Sequence, residues 1–465
     1  MELHEQVSLA IAAADLRYVT GSGLTAGFHP RSWPLLQWGA MVAYEAQKNI
    51  RDVHNIELEF DWEEDVTAAA RHGGKFFDGR PGQLDSVVAD FQKLIDATHL
   101  AFYPDDRSGR EFDVLRDDLS VISDGSELLL TNVTGHFMAG LPPHRGMDMN
   151  SWGPHLQTLA TGIGQLASAL VSASAENFSQ HGNHTNTAVA WWDGKISEAI
   201  PATFAGELTT ELALGVISIY STVQAARRWA NVECCGSCDA ASLKHRFVVL
   251  HHAARSIEQL YTRVEGLPPI AVDHVSSLAE SADLKTVTAQ PFRRLRNGWL
   301  HLGLGDIATD LPARPNVLSP VLAYTQMEIP AFAALLDRSL DQVAEGIGCW
   351  LAEPGPDGSA LFDHLSPPPD EKPSAAADFA EISFRYETIL CGANACKGYL
   401  GAHRNCAYVE KVGTQLVAQS VPLSRKSSST VTISAILAAM TAIESSAVSN
   451  PFREPSIGLT DRSSS

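Results

Sequence analysis

What most constrains this chain is the spacing of its apolar residues, which recur at three- and four-residue intervals through most of its length. That period lines one stripe of a helix. It predicts helices over Trp33–Ile50, Leu84–His99, His155–Phe178, Glu207–Asn231, Ala241–Val264 and Gln326–Leu351. Further helices are predicted over Phe379–Cys391, Cys396–Gln419 and Ile433–Val448. Strand candidates are few, and GSELLLTNV at 125–133 is the best of them. The expected fold is mainly α: a helical body over residues 136–448 with an additional N-terminal region, 1–135, whose pairing the sequence does not specify.

An apolar fraction of 45% over 465 residues gives such helices enough surface to bury. Two stretches break the pattern. Residues 352–377, AEPGPDGSALFDHLSPPPDEKPSAAA, are polar and Pro-rich and read as an exposed connection. Residues 449–465 read as a disordered tail. No apolar run reaches the length of a membrane span, and the first residues lack the basic end and cleavage pattern of a signal peptide. No membrane partner is expected, and the cytoplasm is the default location. A homo-oligomer is allowed.

Charge excludes more than it identifies. A net −20 is a poor footing for non-specific nucleic-acid binding. The imbalance is uneven: residues 1–130 carry 23 acidic against 11 basic side chains, and residues 224–301 carry 10 basic against 7 acidic. Seven cysteines do not make a disulfide scaffold in a chain this long. Cys235 and Cys238 form one CxxC without the second copy that a structural zinc site needs, so ordinary thiols are the plainer reading.

Several short patterns reduce to bland ones. TGSGLTAG at 20–27 has glycines at 21, 23 and 27, which is not a dinucleotide fingerprint, and reads as a turn. HGNH at 181–184 reads as a polar loop, and DWEED at 61–65 as a charged helix start. His251 and His252, beside Arg255 on a helix, read as satisfied imidazoles.

FRRLRNGWLHLG, residues 292–303, does not reduce so easily. On a helix Phe292, Leu295, Trp299 and Leu302 share an apolar face, while Asn297 and His301, four apart, share a polar one. An amphipathic helix with a solvated basic side is the simplest account. A sharper one is catalytic: Arg296-Asn297-xxx-His301 resembles the Arg-x4–6-His signature of HEPN-domain proteins, helical bundles that are often metal-independent ribonucleases. That resemblance implies an imidazole exchanging protons with a ribose 2′-hydroxyl and an arginine neutralising charge on phosphate.

The C-terminal half carries a different resemblance, in four segments in order. Pro291-Phe292-Arg293-Arg294-Leu295-Arg296 is followed by LAYTQMEIPAFAALLD at 322–337, GYLGAHRNCAYVEKV at 398–412 and KSSSTVTISAILAAM at 426–440. Together they resemble the histidine-ligated heme-dependent aromatic oxygenases, the indoleamine and tryptophan 2,3-dioxygenases and the pyrrolnitrin-pathway enzyme. The resemblance implies heme b with His403 as iron ligand, and Gln326 and Met327 where the chain passes the cofactor. It implies Phe292 and Arg296 on a tryptophan-like substrate, Ser428 near its ammonium, and O2 as co-substrate. Two departures stand out: serines replace the loop glycines of the family, and no arginine lies three residues before His403. The loop at 420–430 is expected to be mobile and to close over substrate. The oxygenase is the leading expectation, and the ribonuclease using Arg296 and His301 the alternative.

Overall fold

The computed structural model describes residues 2–26, 33–55, 66–67, 69–70, 83–102, 117–124, 127–138, 159–167, 190–204, 208–229, 236–262, 269–352 and 360–366. Helix accounts for 79% of them, so the fold is mainly α. The chain opens with α1 (Leu3–Ala26), α2 (Trp33–His54) and α3 (Gln83–Phe102). A small sheet follows, made of β1 (Leu119–Asp124), β2 (Glu127–Thr131) and β3 (Ala190–Gly194), with α4 (Asn132–Met138) after β2. Then come α5 (Ile196–Thr203), α6 (Thr210–Trp229), α7 (Gly236–Tyr261), α8 (Pro269–Ala279), α9 (Ala282–Thr288), α10 (Gln290–Leu300), α11 (Ser319–Thr325) and α12 (Ile329–Ala352).

The centre of the body is α7, which packs against α1, α6, α8, α9, α10 and α12. A helix surrounded this way must be apolar on most of its circumference, and residues 240–254 are buried but for Arg246, which is half-buried. Phe247 anchors the aromatic core, with its ring centroid 5.3 Å from Phe332, 6.0 Å from Trp299 and 6.3 Å from Phe292. Tilted rings at these separations add to what burial alone contributes. The Trp299 indole N–H is also satisfied, donating to the Val317 carbonyl at 3.1 Å.

On the other side of α7 lies α1, whose residues 7–19 are all buried. Charge is buried with them. Asp15 pairs with Lys244 of α7, and the Lys244 ammonium sits over the Trp38 ring. Burial raises the Asp15 carboxyl to about 6 and lowers the Lys244 ammonium, so each stays charged only through the other. Beside them Tyr18 Oη lies 3.2 Å from His245 Nδ1, and His245 stacks on Trp38 at 4.9 Å.

The sheet is antiparallel, in the order β2-β1-β3, with Val121 opposite Thr131 on one side and Trp192 on the other. Asp118 Oδ1 accepts the Ile196 amide at 2.8 Å, which ties the start of α5 to β1.

Six expectations need correction. The connection at 352–377 is not exposed throughout, because Leu361 and Leu365 are buried and Ser366 bridges Asp193 of β3. His251 is not a satisfied imidazole, because both its ring nitrogens are buried without a hydrogen-bond partner among the described residues. TGSGLTAG is not a turn, because α1 runs through it to Ala26. The strand at 125–133 is shorter: β2 ends at Thr131, and Asn132 begins α4. The helix expected from Gln326 begins at Ile329, since Gln326 is left-handed (φ 56°) and closes α11 instead. His301 does not lie on the helix with Asn297 but is its C-terminal cap. The segments at 61–65, 181–184 and 367–465 lie outside the described residues, and with them His403 and Ser428. Among the described residues no helix is long and apolar enough to cross a membrane.

Candidate functional site

Three core side chains set the rotation of α10: Phe292, Leu295 and Trp299 point into the aromatic cluster and are 5%, 0% and 1% exposed. Arg296, next to Leu295, is thereby turned toward α7 instead of solvent and is 8% exposed. Its Nε and Nη2 lie 3.0 and 2.8 Å from Nε2 of His252. Its Nη1 donates to Asn297 Oδ1 at 3.1 Å and lies 3.4 Å from Nε2 of His301. A nitrogen that accepts from a guanidinium must carry its lone pair, so His252 is the neutral tautomer with hydrogen on Nδ1. Burial, and then the charge of Arg296, hold His252 well below its ordinary value. His251 is held down to about 3 by burial, then by Arg296, Arg255 and Arg293.

His301 completes the constellation. Its amide still donates to the Asn297 carbonyl at 3.0 Å, after which Leu302 turns left-handed at φ 57°. That conformation costs a non-glycine residue about 1–2 kcal/mol. Two contacts hold it: the Leu302 carbonyl accepts from Ser8 Oγ of α1 at 2.8 Å and from Asn49 Nδ2 of α2 at 3.3 Å. The turn aims the His301 ring at α2, where Nδ1 lies 2.9 Å from Glu45 Oε1. Glu45 is 9% exposed, and its second oxygen has no hydrogen-bond partner. With Nδ1–H donated to the carboxylate, the lone pair of His301 is on Nε2, the nitrogen beside Arg296.

The product is an imidazole whose side chain is 43% exposed, with a carboxylate at Nδ1 and a guanidinium nitrogen 3.4 Å from Nε2. Once Arg296 Nη1 turns from Nε2 to the substrate, the imidazole can take a proton from a substrate hydroxyl while the adjacent cation stabilises the negative charge that develops. His301 opens on a cleft of about 310 Å3 between α1, α2 and the turn at 301–305. On the α2 side the cleft is lined by Lys48, Asn49 and Asp52, which continue along the helix from Glu45 at i+3, i+4 and i+7.

The residues assigned to a heme pocket are placed differently. Phe292 is packed against Phe247 and Phe332, and Arg296 is engaged by His252 and Asn297. Gln326 is exposed at the end of α11, and Met327 is half-buried beside it. Phe292 and Arg296 therefore already have their contacts filled by protein, and a porphyrin or substrate beside them requires those contacts to be exchanged. Two members of the cluster escaped the sequence reading. Glu45 was visible only as part of the α2 stripe, and His252 only as one of a pair whose partner, Arg296, lies 44 residues downstream.

Searches against protein-family models, curated proteins and solved structures return no match.

Proposed function

We propose that this protein is a metal-independent ribonuclease, the activity implied by the resemblance of Arg296-Asn297-xxx-His301 to HEPN-domain proteins. The observation that carries this reading is the chain of contacts Glu45–His301–Arg296–His252. It supplies a base with its lone pair directed, and a cation held in place by a neutral acceptor. In the reaction the ribose 2′-hydroxyl gives its proton to Nε2 of His301. The 2′ oxygen then attacks the adjacent phosphorus, and the bond from phosphorus to the 5′ oxygen breaks. Arg296 faces the charge gathering on the non-bridging oxygens. The departing 5′ oxygen takes a proton from water, which the exposed side of His301 admits, and the hydroxide left behind removes the proton from Nε2, restoring the neutral imidazole. Products are a 2′,3′-cyclic phosphate and a 5′-hydroxyl.

The test is cleavage of single-stranded RNA in EDTA, with end-group analysis. His301→Ala and Arg296→Ala should abolish it, and a substrate with 2′-deoxy residues should resist. Cleavage that survives His301→Ala, or that needs a divalent ion, rejects the reading.

The competing proposal is the heme-dependent oxygenase of tryptophan-like substrates, and what supports it is the resemblance of residues 398–412 and 426–440. Heme b on His403 would supply the oxygen chemistry, and Arg296 would exchange His252 for a substrate carboxylate. A Soret band in protein expressed with sufficient heme, lost in His403→Ala, would favour it over the nuclease. Either activity is consistent with a cytoplasmic protein.

A further inference from the structure

We propose that the cleft beside His301 takes the base of the nucleotide whose 2′-hydroxyl is activated, and that it selects guanine through Asp52. This rests on the ribonuclease reading, because it is that reading which puts a ribose against His301.

The geometry leads from one group to the other. Glu45 and Asp52 are two turns apart on the same face of α2, about 10 Å along its axis. Glu45 lies at the buried end, holding His301, and Asp52 at the rim with its side chain 50% exposed. His301 lines one cleft together with Lys48, Asn49, Asp52 and Val53 of α2, so a nucleotide held at His301 has a path open along that face. The opposite wall is the turn, where a Cβ at Gly303 would meet nothing within 4 Å, so a flat ring can approach the backbone there. Val53, 45% exposed at the rim, gives a base an apolar surface to lie on. Lys48 on the same wall is exposed and can meet a phosphate.

The choice of base follows from hydrogen-bond chemistry. Asp52 accepts Arg51 Nε at 2.9 Å on Oδ1, which fixes the carboxylate without exhausting its lone pairs. An ionised carboxylate only accepts, so it selects a base edge made of donors. Guanine alone presents two adjacent donors, N1–H and N2–H, that a carboxylate can bind in parallel. Uracil offers one such donor, and adenine and cytosine set an amine beside an acceptor that a carboxylate repels. Paired bonds to a charged acceptor are the strong and geometrically selective kind.

Calorimetry with the full chain and the four nucleoside 3′-monophosphates tests this, alongside the cleavage assay. Guanosine 3′-phosphate should bind about tenfold or more tighter than the other three, and Asp52→Asn should remove that margin while leaving the weaker ligands unchanged. Val53→Ser should weaken all four alike. Equal affinities, a preference that survives Asp52→Asn, or no binding at millimolar ligand overturns the inference. If the margin is present and depends on Asp52 but RNA is not cleaved, the guanine site stands and the nuclease reading alone is lost.

Discussion

Replacing His252 with leucine removes the acceptor for two N–H groups of Arg296 without adding bulk to the core. The bonds are 3.0 and 2.8 Å long and converge on one nitrogen, which has a single lone pair. Their joint contribution is therefore nearer that of one strong bond from a charged donor, about 1.5–3 kcal/mol, than of two. The guanidinium keeps Asn297 Oδ1 but loses its shortest contacts in a site only 8% exposed, where donors deprived of an acceptor are costly. His252→Leu should thus destabilise the fold by about 2–3 kcal/mol, measured by urea unfolding with linear extrapolation. The informative step is the double mutant. In an Arg296→Met background no such donors remain, so His252→Leu should cost much less, giving a coupling of about 2 kcal/mol. RNA cleavage should fall with His252→Leu about as far as with Arg296→Met, since both lose the positioned cation. Additive effects on stability within about 0.5 kcal/mol would refute the contact as an energetic unit, and with it the claim that His252 holds Arg296 for its task.

Other expectations can be checked on the same protein. Glu45→Gln keeps the shape beside His301 but lets the imidazole take the wrong tautomer, so cleavage should drop by about two to four decades with little change in Tm. His245, His251 and His252 all have folded values below the ordinary 6.5, because burial disfavours their charged forms. Below pH 6.5 the unfolded chain takes up protons that the folded one refuses. Stability present above that pH should therefore fall as the pH drops toward 3, by about 1.4 kcal/mol per pH unit for each histidine. Asp15, raised from 3.8 to about 6, opposes one of them between those values, leaving a net loss that urea titrations at pH 7, 6 and 5 should resolve. Gly298→Ala should also destabilise, by about 1–3 kcal/mol, because its Cβ would stand 2.5 Å from Tyr324 Oη, the group that anchors Asp306; an unchanged urea midpoint would contradict that packing.

Much of the helical framework was legible because its signal is local. The stripes of α2, α3, α6 and α12 can be read from windows of two dozen residues, and their ends fall within a few positions of expectation. The exceptions share a cause. In α1 the residues are apolar on every side, which erases the stripe, and the glycines at 21 and 23 then look like punctuation. The strands β1 and β3 are only 6 and 5 residues long, too short for alternation to stand out. Arg296 and His301 were legible as a motif, but their partners were not. Glu45 lies 256 residues before His301, and nothing local marks which glutamate of the 54 acidic residues will face it.

The buried pair of Asp15 and Lys244 bears on a problem that α1 poses. A helix buried on all sides from residue 7 to residue 19 gains nearly the same apolar contact however it is rotated or slid. Grease cannot index it. The ion pair can, because a rotation of α1 about its axis strands two charges in the core, as a lone buried polar residue sets the register of a coiled coil. Ser8 lies seven residues before Asp15, on the same face, and it is Ser8 that reaches the Leu302 carbonyl. An apolar swap such as Asp15→Leu with Lys244→Met should accordingly leave a protein that is no less stable but whose first helix is free to misregister. The turn that presents His301 would lose its clamp, so firmness of the core and accuracy of the site would part company in that one variant.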